Sequence, residues 1–492
     1  MDYISTRGKA AAVSAAQAIK QGIAEDGGLY LPKKFPEIGK DYIEELCALS
    51  YHERAARILS LFLEDYTKEE LLTDCKAAYT DRFDGAAAPV KRLDGRFSVL
   101  ELWHGPTCAF KDMALQIMPK LLSRALVKTG EERRALILVA TSGDTGKAAL
   151  EGYRDVPHTA ISVFYPVDGV SRAQKRQMIT QEGENVNVCA IRGNFDDAQT
   201  GVKRIFADRD LAAELDKKGF FLSSANSINW GRLAPQIVYY VSAYCDMISS
   251  GEISNGELID VCVPTGNFGN ILAGYIAKEC GLPIGKLICA SNSNNVLTDF
   301  LESGVYDRNR PFHTTVSPSM DILISSNLER LLYMKLGGEK TAACMKELGE
   351  KGVYDIGADA LASVKRDFEG FFCSESECLE TVGGCFEKYG YLIDTHTAVA
   401  VRCAEKANSP RKMLIVSTAS AYKFAPAVAS ALGLESTGED PDIFARIAKK
   451  TGTGVPSPLS SVFDKDVRFA NTIEADGMKN EVRAFAESLQ SH

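Results

Sequence analysis

Ala135-Leu-Ile-Leu-Val-Ala140 runs without a break into Thr141-Ser-Gly-Asp-Thr-Gly146 and then into a helical pattern from Lys147. A short, wholly apolar run bounded by a glycine turn reads as a strand buried on both faces. The same texture recurs downstream, where 161–164, 186–191, 258–263, 287–290 and 412–416 are apolar runs separated by glycine-containing turns and helical spacings. Strands alternating with helices predict an α/β fold whose mostly parallel sheet is covered on both sides. Such sheets take their ligands at the carboxyl ends of the strands.

The flanks read differently. Residues 1–92 are mainly helical in pattern, with predicted helices over 10–22, 41–62 and 68–79, punctuated by Asp26-Gly27-Gly28 and by the proline pair at 32 and 36. Further helical patterns fall at 326–335 and 358–371. Residues 93–435 form the expected core, and 436–492 are an extension. Within that extension, Gly438-Glu-Asp-Pro and Thr451-Gly-Thr-Gly-Val-Pro read as loops around a last helix at 474–489.

Composition narrows the classes. The chain of 492 residues carries 56 Lys and Arg against 65 Asp and Glu, for a net charge of −9, so no basic footprint for nucleic acid or an anionic membrane is expected. No apolar run approaches the roughly 20 residues that cross a bilayer. The 13 cysteines include no CxxC pair, and Cys373, Cys378 and Cys385 are the nearest to a cluster. Free buried thiols, no metal site and a reducing cytoplasm are the expectation.

Three segments carry chemistry. The loop 141–146 presents amides and hydroxyls at a helix N-terminus, suited to a carboxylate or phosphate, although a simple capped turn has the same appearance. It is not a nucleotide P-loop, because Thr141 stands where the first glycine belongs and Ala148 where a hydroxyl belongs. Pro264-Thr-Gly266-Asn267-Phe268-Gly269-Asn270 follows a predicted strand, and its glycines let consecutive N–H groups approach a tetrahedral anion. It lacks dinucleotide-type glycine spacing. Finally, Lys111 lies in Phe110-Lys111-Asp112 after Glu101-Leu-Trp-His104-Gly-Pro-Thr107. A lysine beside an aromatic ring suits imine formation if it is desolvated, whereas Lys-Asp alone is more often a surface pair.

Taken together, Phe110-Lys111-Asp112, the loops at 141–146 and 266–270 and Ser417-Thr418-Ala419 have the order and spacing of the fold-type II pyridoxal-phosphate enzymes. More narrowly, the chain resembles the threonine synthase family. Tyr3-Ile-Ser-Thr-Arg-Gly, Glu25-Asp-Gly-Gly-Leu-Tyr-Leu-Pro, Leu102-Trp-His-Gly-Pro-Thr, Ser223-Ser-Ala-Asn-Ser-Ile-Asn and Thr395-His-Thr-Ala-Val-Ala spread that resemblance over nearly the whole length.

The resemblance implies two α/β subdomains within 93–435, the smaller at roughly 113–225, behind a mainly helical N-terminal region, with pyridoxal 5'-phosphate as cofactor. Lys111 would hold it as an imine and serve as the catalytic base. Gly266, Asn267, Phe268, Gly269 and Asn270 would bind its phosphate, and Thr418 would face the ring nitrogen. Thr141, Ser142, Asp144 and Thr145 would bind substrate, with Asp144 close to the ring. The implied reaction converts O-phosphohomoserine and water into threonine and phosphate. Lys147, Arg172, Lys175 and Lys423 are the implied candidates for the leaving phosphate, with His396 a possible ligand or a structural histidine. The family includes monomers and homodimers. Other fold-type II reactions, such as serine or threonine dehydration and β-replacement, fit the 1–92 region and the His-Gly-Pro-Thr context less well.

Two departures stand out. Close relatives commonly carry Thr-Ala-His-Pro-Ala-Lys-Phe, where this chain has Thr418-Ala-Ser420-Ala421-Tyr422-Lys423-Phe424. Thr395 stands where many have proline.

Overall fold

The computed structural model describes residues 1–168 and 170–490. Its larger sheet has six strands in the order Phe368–Phe372, Ile284–Ser291, Ile259–Pro264, Met413–Ser417, Phe97–Glu101 and Val90–Arg92. Neighbours are parallel except for the antiparallel edge strand Val90–Arg92. The second sheet has five strands, Thr472–Glu474, Val186–Arg192, Thr159–Pro166, Arg134–Ala140 and Phe220–Ser223, parallel throughout. The predicted apolar runs are therefore central strands, and every residue of Thr159–Pro166 and Ile259–Pro264 is buried. The pattern predicted a mostly parallel α/β sheet, and its division into two sheets is the arrangement the family resemblance implied.

Helix Trp230–Ser249 joins the layers. It packs against the N-terminal helices Lys40–Cys47 and Tyr51–Phe62 and also against Lys111–Leu115. Trp230 is fully buried against Tyr3 and Phe62, with ring centroids 5.4 and 5.9 Å away. Removing each such large side chain from water contributes about 1.5–3 kcal/mol, which fixes the N-terminal region to the core.

Several element boundaries differ from expectation for local reasons. The predicted helix at 41–62 is two, because Ser50 heads Tyr51–Phe62 with a capping box to Glu53. The first helix begins only at Ala15, capped by Ser14, since Val13 pairs with Tyr3 in a β-bridge. The helix expected through 371 stops at Asp367, and Phe368–Phe372 becomes an edge strand alongside 287–291. Of Gly438-Glu-Asp-Pro only the first two residues are loop, since helix Asp440–Thr451 starts at Asp440 with Pro441 in its first turn, where a missing N–H costs nothing. The last helix spans Met478–Ser488, preceded by the strand Thr472–Glu474. The extension thus returns to the second sheet, and Met478 packs onto Gly201 of helix Phe195–Ala207.

Candidate active site

Lys111 opens helix Lys111–Leu115 after a turn held from two directions. Within it, buried Asp112 accepts hydrogen bonds from the Thr107 amide at 2.8 Å and the Thr107 hydroxyl at 2.7 Å. Against it lies the segment after strand Met413–Ser417, where Phe110 N–H donates to the Thr418 carbonyl and Ser420 N–H to the Cys108 carbonyl. Cys108 adopts φ +56°, an uncommon backbone for a side-chain-bearing residue. Asp112 is thus a brace of the turn, and burial pushes its carboxyl up to about 6.

Three charged side chains meet above this turn. Lys423, whose side chain is 0% exposed, places Nζ 2.9 Å from Asp144 Oδ1 and donates to the Thr107 carbonyl at 2.7 Å. Lys111 Nζ lies 3.5 Å from Asp144 Oδ2. Gln174 Nε2 donates to Asp144 Oδ1 at 2.7 Å. Burial lowers the Lys111 ammonium below its ordinary range; Lys423 and Arg232 push it the same way, while Asp144 opposes them. Burial alone would raise the Asp144 carboxyl, but Lys423 and Lys111 outweigh it and hold the group well below the usual carboxylate range.

The loop 141–146 follows Arg134–Ala140 as expected. Thr141 turns its hydroxyl onto its own loop, accepting from Gly143 N–H at 3.0 Å and Gly146 N–H at 2.9 Å. Ser142 is exposed and Thr145 half-buried, and no acceptor among the described residues meets the amides of Ser142, Asp144 or Thr145. Three free N–H groups at a helix N-terminus have the chemistry that suits an anion. Gly143 sits at φ +143° with Gln174 packed where a Cβ would go.

The second loop lies between Ile259–Pro264 and helix Gly269–Glu279. Among the described residues no backbone or side-chain acceptor meets the amides of Gly266, Asn267, Phe268, Gly269 or Asn270. Phe268 is held in the left-handed region at φ +61° while its ring is buried near Phe368. Strain of about 1–3 kcal/mol at a bulky left-handed residue persists only where packing over-determines it. Ser325 Oγ donates to the Gly266 carbonyl and Asn327 N–H to the Asn267 carbonyl, so the carbonyls are anchored while the N–H groups stay free. Asn270 Nδ2 is buried without a partner, although Tyr239 donates to Asn270 Oδ1 at 2.6 Å.

Residues 2–79 match the family described as threonine synthase N terminus, and residues 86–419 match the pyridoxal-phosphate dependent enzyme family. A threonine synthase from Pseudomonas aeruginosa is 38% identical over 475 residues, covering 94% of this chain and 97% of that one. The chain belongs to the threonine synthase family. A pyridoxal-phosphate-bound threonine synthase structure from Brucella melitensis superposes with a TM-score of 0.89 at 36% identity, covering 99% of both chains. The human threonine synthase-like 1 is 42% identical over 437 residues, covering 86% of this chain; the chain spans 58% of that relative's length.

The cofactor of threonine synthase family members is pyridoxal phosphate, and the residues present fit it. Five free amides suit a phosphate, and a desolvated lysine suits an aldehyde. Thr418 is buried after Met413–Ser417, its hydroxyl without a partner among the described residues. Of the cations named for a leaving phosphate, Lys147 is committed to Gln181 and Glu151, Arg172 is exposed and bound to Glu439 and the Gly438 carbonyl, and Lys423 is spent on Asp144.

Sequence reading missed Ser319 and Arg232. Ser319 Oγ lies 3.4 Å from Lys111 Nζ and 3.2 Å from Asp144 Oδ2. Arg232 is buried, donates from Nη1 to the Ala225 carbonyl at 2.7 Å, leaves Nε without a partner and forms no ion pair among the described residues. Neither sits in a glycine loop, and Arg232 lies in helix Trp230–Ser249, for which the sequence reading set out no element. A charged residue within an almost wholly apolar helical run was the available signal.

Proposed function

We propose that the protein is a threonine synthase, converting O-phosphohomoserine and water into L-threonine and inorganic phosphate. The observation that carries the reading is a largely desolvated lysine paired with an ionised aspartate, joined in one chain to a loop of unpartnered amides and to the family's full-length match. When bound, pyridoxal phosphate supplies an electrophilic carbon and a ring that delocalises negative charge from the substrate's carbon atoms.

Lys111 would hold that group, residues 266–270 its phosphate, and Thr418 would face its ring nitrogen with a neutral hydroxyl. As a free amine, Lys111 moves protons at the substrate's α- and β-carbons, and its lowered basicity brings it nearer to working pH. Asp144, ionised between two lysines, keeps the Lys111 nitrogen in place. The Ser142, Asp144 and Thr145 amides take the substrate's α-carboxylate. Phosphate leaves from the γ-carbon and water adds at the β-carbon, with Lys111 able to return each proton it removes. Arg232, a buried guanidinium without a carboxylate, is the cation assigned to the substrate phosphate. All 13 cysteines are free thiols, which supports the reading of a reducing cytoplasm as its compartment.

A second reading, binding of cofactor without threonine formation, is favoured by Ser420 and Ala421 in place of the commoner His-Pro. Supplying O-phosphohomoserine, threonine, serine and O-acetylserine separately decides between them. Phosphate release matched by threonine from the first substrate is expected. Dominant ammonia release from threonine, or no turnover by cofactor-loaded protein, defeats the proposal.

A further inference from the structure

Ser319 lies on a short turn, Pro318–Met320, that reaches the site from outside both glycine loops. The turn is tied down on several sides. Asp321 accepts from Asn292 at 2.7 Å, from Asn294 at 3.0 Å and from the Thr315 amide at 2.9 Å, and Thr395 Oγ1 donates to the Val316 carbonyl at 2.7 Å. Proline at 395 would lack that last bond, so this departure from the commoner sequence adds an anchor to the segment carrying Ser319.

His396 completes the attachment. Ser319 N–H donates to His396 Nε2 at 3.1 Å, which requires the lone pair on Nε2 and the ring proton on Nδ1. Nδ1 lies 2.8 Å from Asp394 Oδ2, and the other Asp394 oxygen accepts from the Thr397 amide at 3.0 Å. The imidazole packs against Phe424 at a centroid distance of 4.6 Å. The tautomer is therefore fixed from both ends. Ser319, His396 and Asp394 have the residue types of a hydrolytic triad, but the histidine engages the serine backbone, so no base acts on the hydroxyl as in nucleophilic catalysis.

What the hydroxyl does face is Lys111 and Asp144. With Lys111 charged, Oγ accepts from the ammonium and donates to Asp144 Oδ2; with Lys111 neutral, the same O–H can rotate to donate to the amine. We propose that Ser319 is a positioning residue for Lys111, its hydroxyl following the lysine's changes of protonation while His396 holds the Ser319 backbone in register. The inference deepens the assignment of Lys111 as proton carrier and rests on that reading. The other charged groups acting on Lys111 are Asp144, Lys423 and Arg232, none of which changes in the variants below.

The test uses cofactor-loaded protein and the pH titration of its visible absorbance, which needs no substrate, beside kcat and KM. Ser319→Ala removes a hydroxyl that bonds both Lys111 and Asp144 when the nitrogen is protonated but gives up its bond to Asp144 when it donates to the neutral nitrogen, so the protonated form loses more. Its absorbance midpoint should fall by roughly half a pH unit or more. Its kcat should fall roughly tenfold to a hundredfold with KM within about twofold. His396→Ala should move both quantities the same way. His396→Gln, whose side-chain oxygen can accept the Ser319 N–H, should keep at least about a third of wild-type kcat. An unmoved or raised midpoint in Ser319→Ala overturns the proposal, as does equal damage from His396→Gln and His396→Ala. If wild type forms no threonine, kcat is silent on Ser319 and the threonine synthase reading fails separately; the absorbance midpoint still decides for Ser319.

Discussion

Lys423 and Lys111 grip opposite oxygens of Asp144: the first lies 2.9 Å from Oδ1 and the second 3.5 Å from Oδ2. The carboxylate therefore has a permanent counter-ion that is not the catalytic candidate. When Lys111 loses its charge, Lys423 and Gln174 still keep Asp144 ionised. Replacing Lys423 by Met should leave a buried carboxylate short of a partner and the Thr107 carbonyl without its donor. The expected loss is about 3 kcal/mol, the lower end for breaking a buried pair, because Gln174 remains. Chemical denaturation of the loaded protein measures it, and a change within about 0.5 kcal/mol of wild type would sink the account.

Lys111→Ala should abolish turnover, since one side chain is assigned both attachment and proton transfer. Its side chain is 12% exposed and its nitrogen meets Ser319 and Asp144 only at 3.4 and 3.5 Å among the described residues, so the fold should survive. Borohydride reduction of wild type should fix the cofactor to the peptide bearing Lys111, read by mass spectrometry. A label elsewhere, or near-normal turnover in the variant, contradicts the assignment.

The central strands at 134–140 and 259–264 were legible because burial on both faces leaves a mostly apolar run, broken in the second only by Asp260. The edge strands were not, because Phe368–Phe372 and Thr472–Glu474 are short, partly exposed and take their conformation from a neighbouring strand distant in sequence. The same division holds in the site. Lys111 and the loops at 141–146 and 266–270 announce themselves by glycine and strand context. Ser319 does not, since its place depends on His396, 77 residues away, and on Asp144, 175 residues away.

Asp112 makes a pH prediction. Its folded-state value near 6 lies above the ordinary 3.8, because burial disfavours the charge more than Thr107 compensates. The folded protein then binds a proton that the unfolded chain has released, so this group's contribution to stability declines as pH rises from about 4 to about 6. Asp144 and Glu151 act in the opposite direction, their depressed values favouring the fold above the ordinary carboxylate range. Only a difference measurement isolates Asp112. The melting temperature of wild type minus that of Asp112→Asn should decrease across pH 4 to 6 and then level off. A flat difference would show that Asp112 keeps an ordinary value.

Gly266→Ala tests the amide cup sterically. A Cβ there would stand 3.0 Å from the Ser319 carbonyl oxygen and 3.3 Å from Met320 Cα. Both are backbone atoms of the turn fixed through Asp321 and His396, so the turn cannot retreat without breaking those bonds, and the 266–270 loop must shift instead. A shift of a few tenths of an ångström misaligns several charge-assisted N–H contacts at once. Cofactor affinity should fall roughly tenfold or more, measured by titrating cofactor-depleted protein with pyridoxal phosphate. Because the same methyl also presses on Ser319, the absorbance midpoint of the reloaded variant should move as well, which a simple loss of phosphate contacts would not produce. Ala at 266 with unchanged affinity would mean that the cofactor's phosphate is held elsewhere.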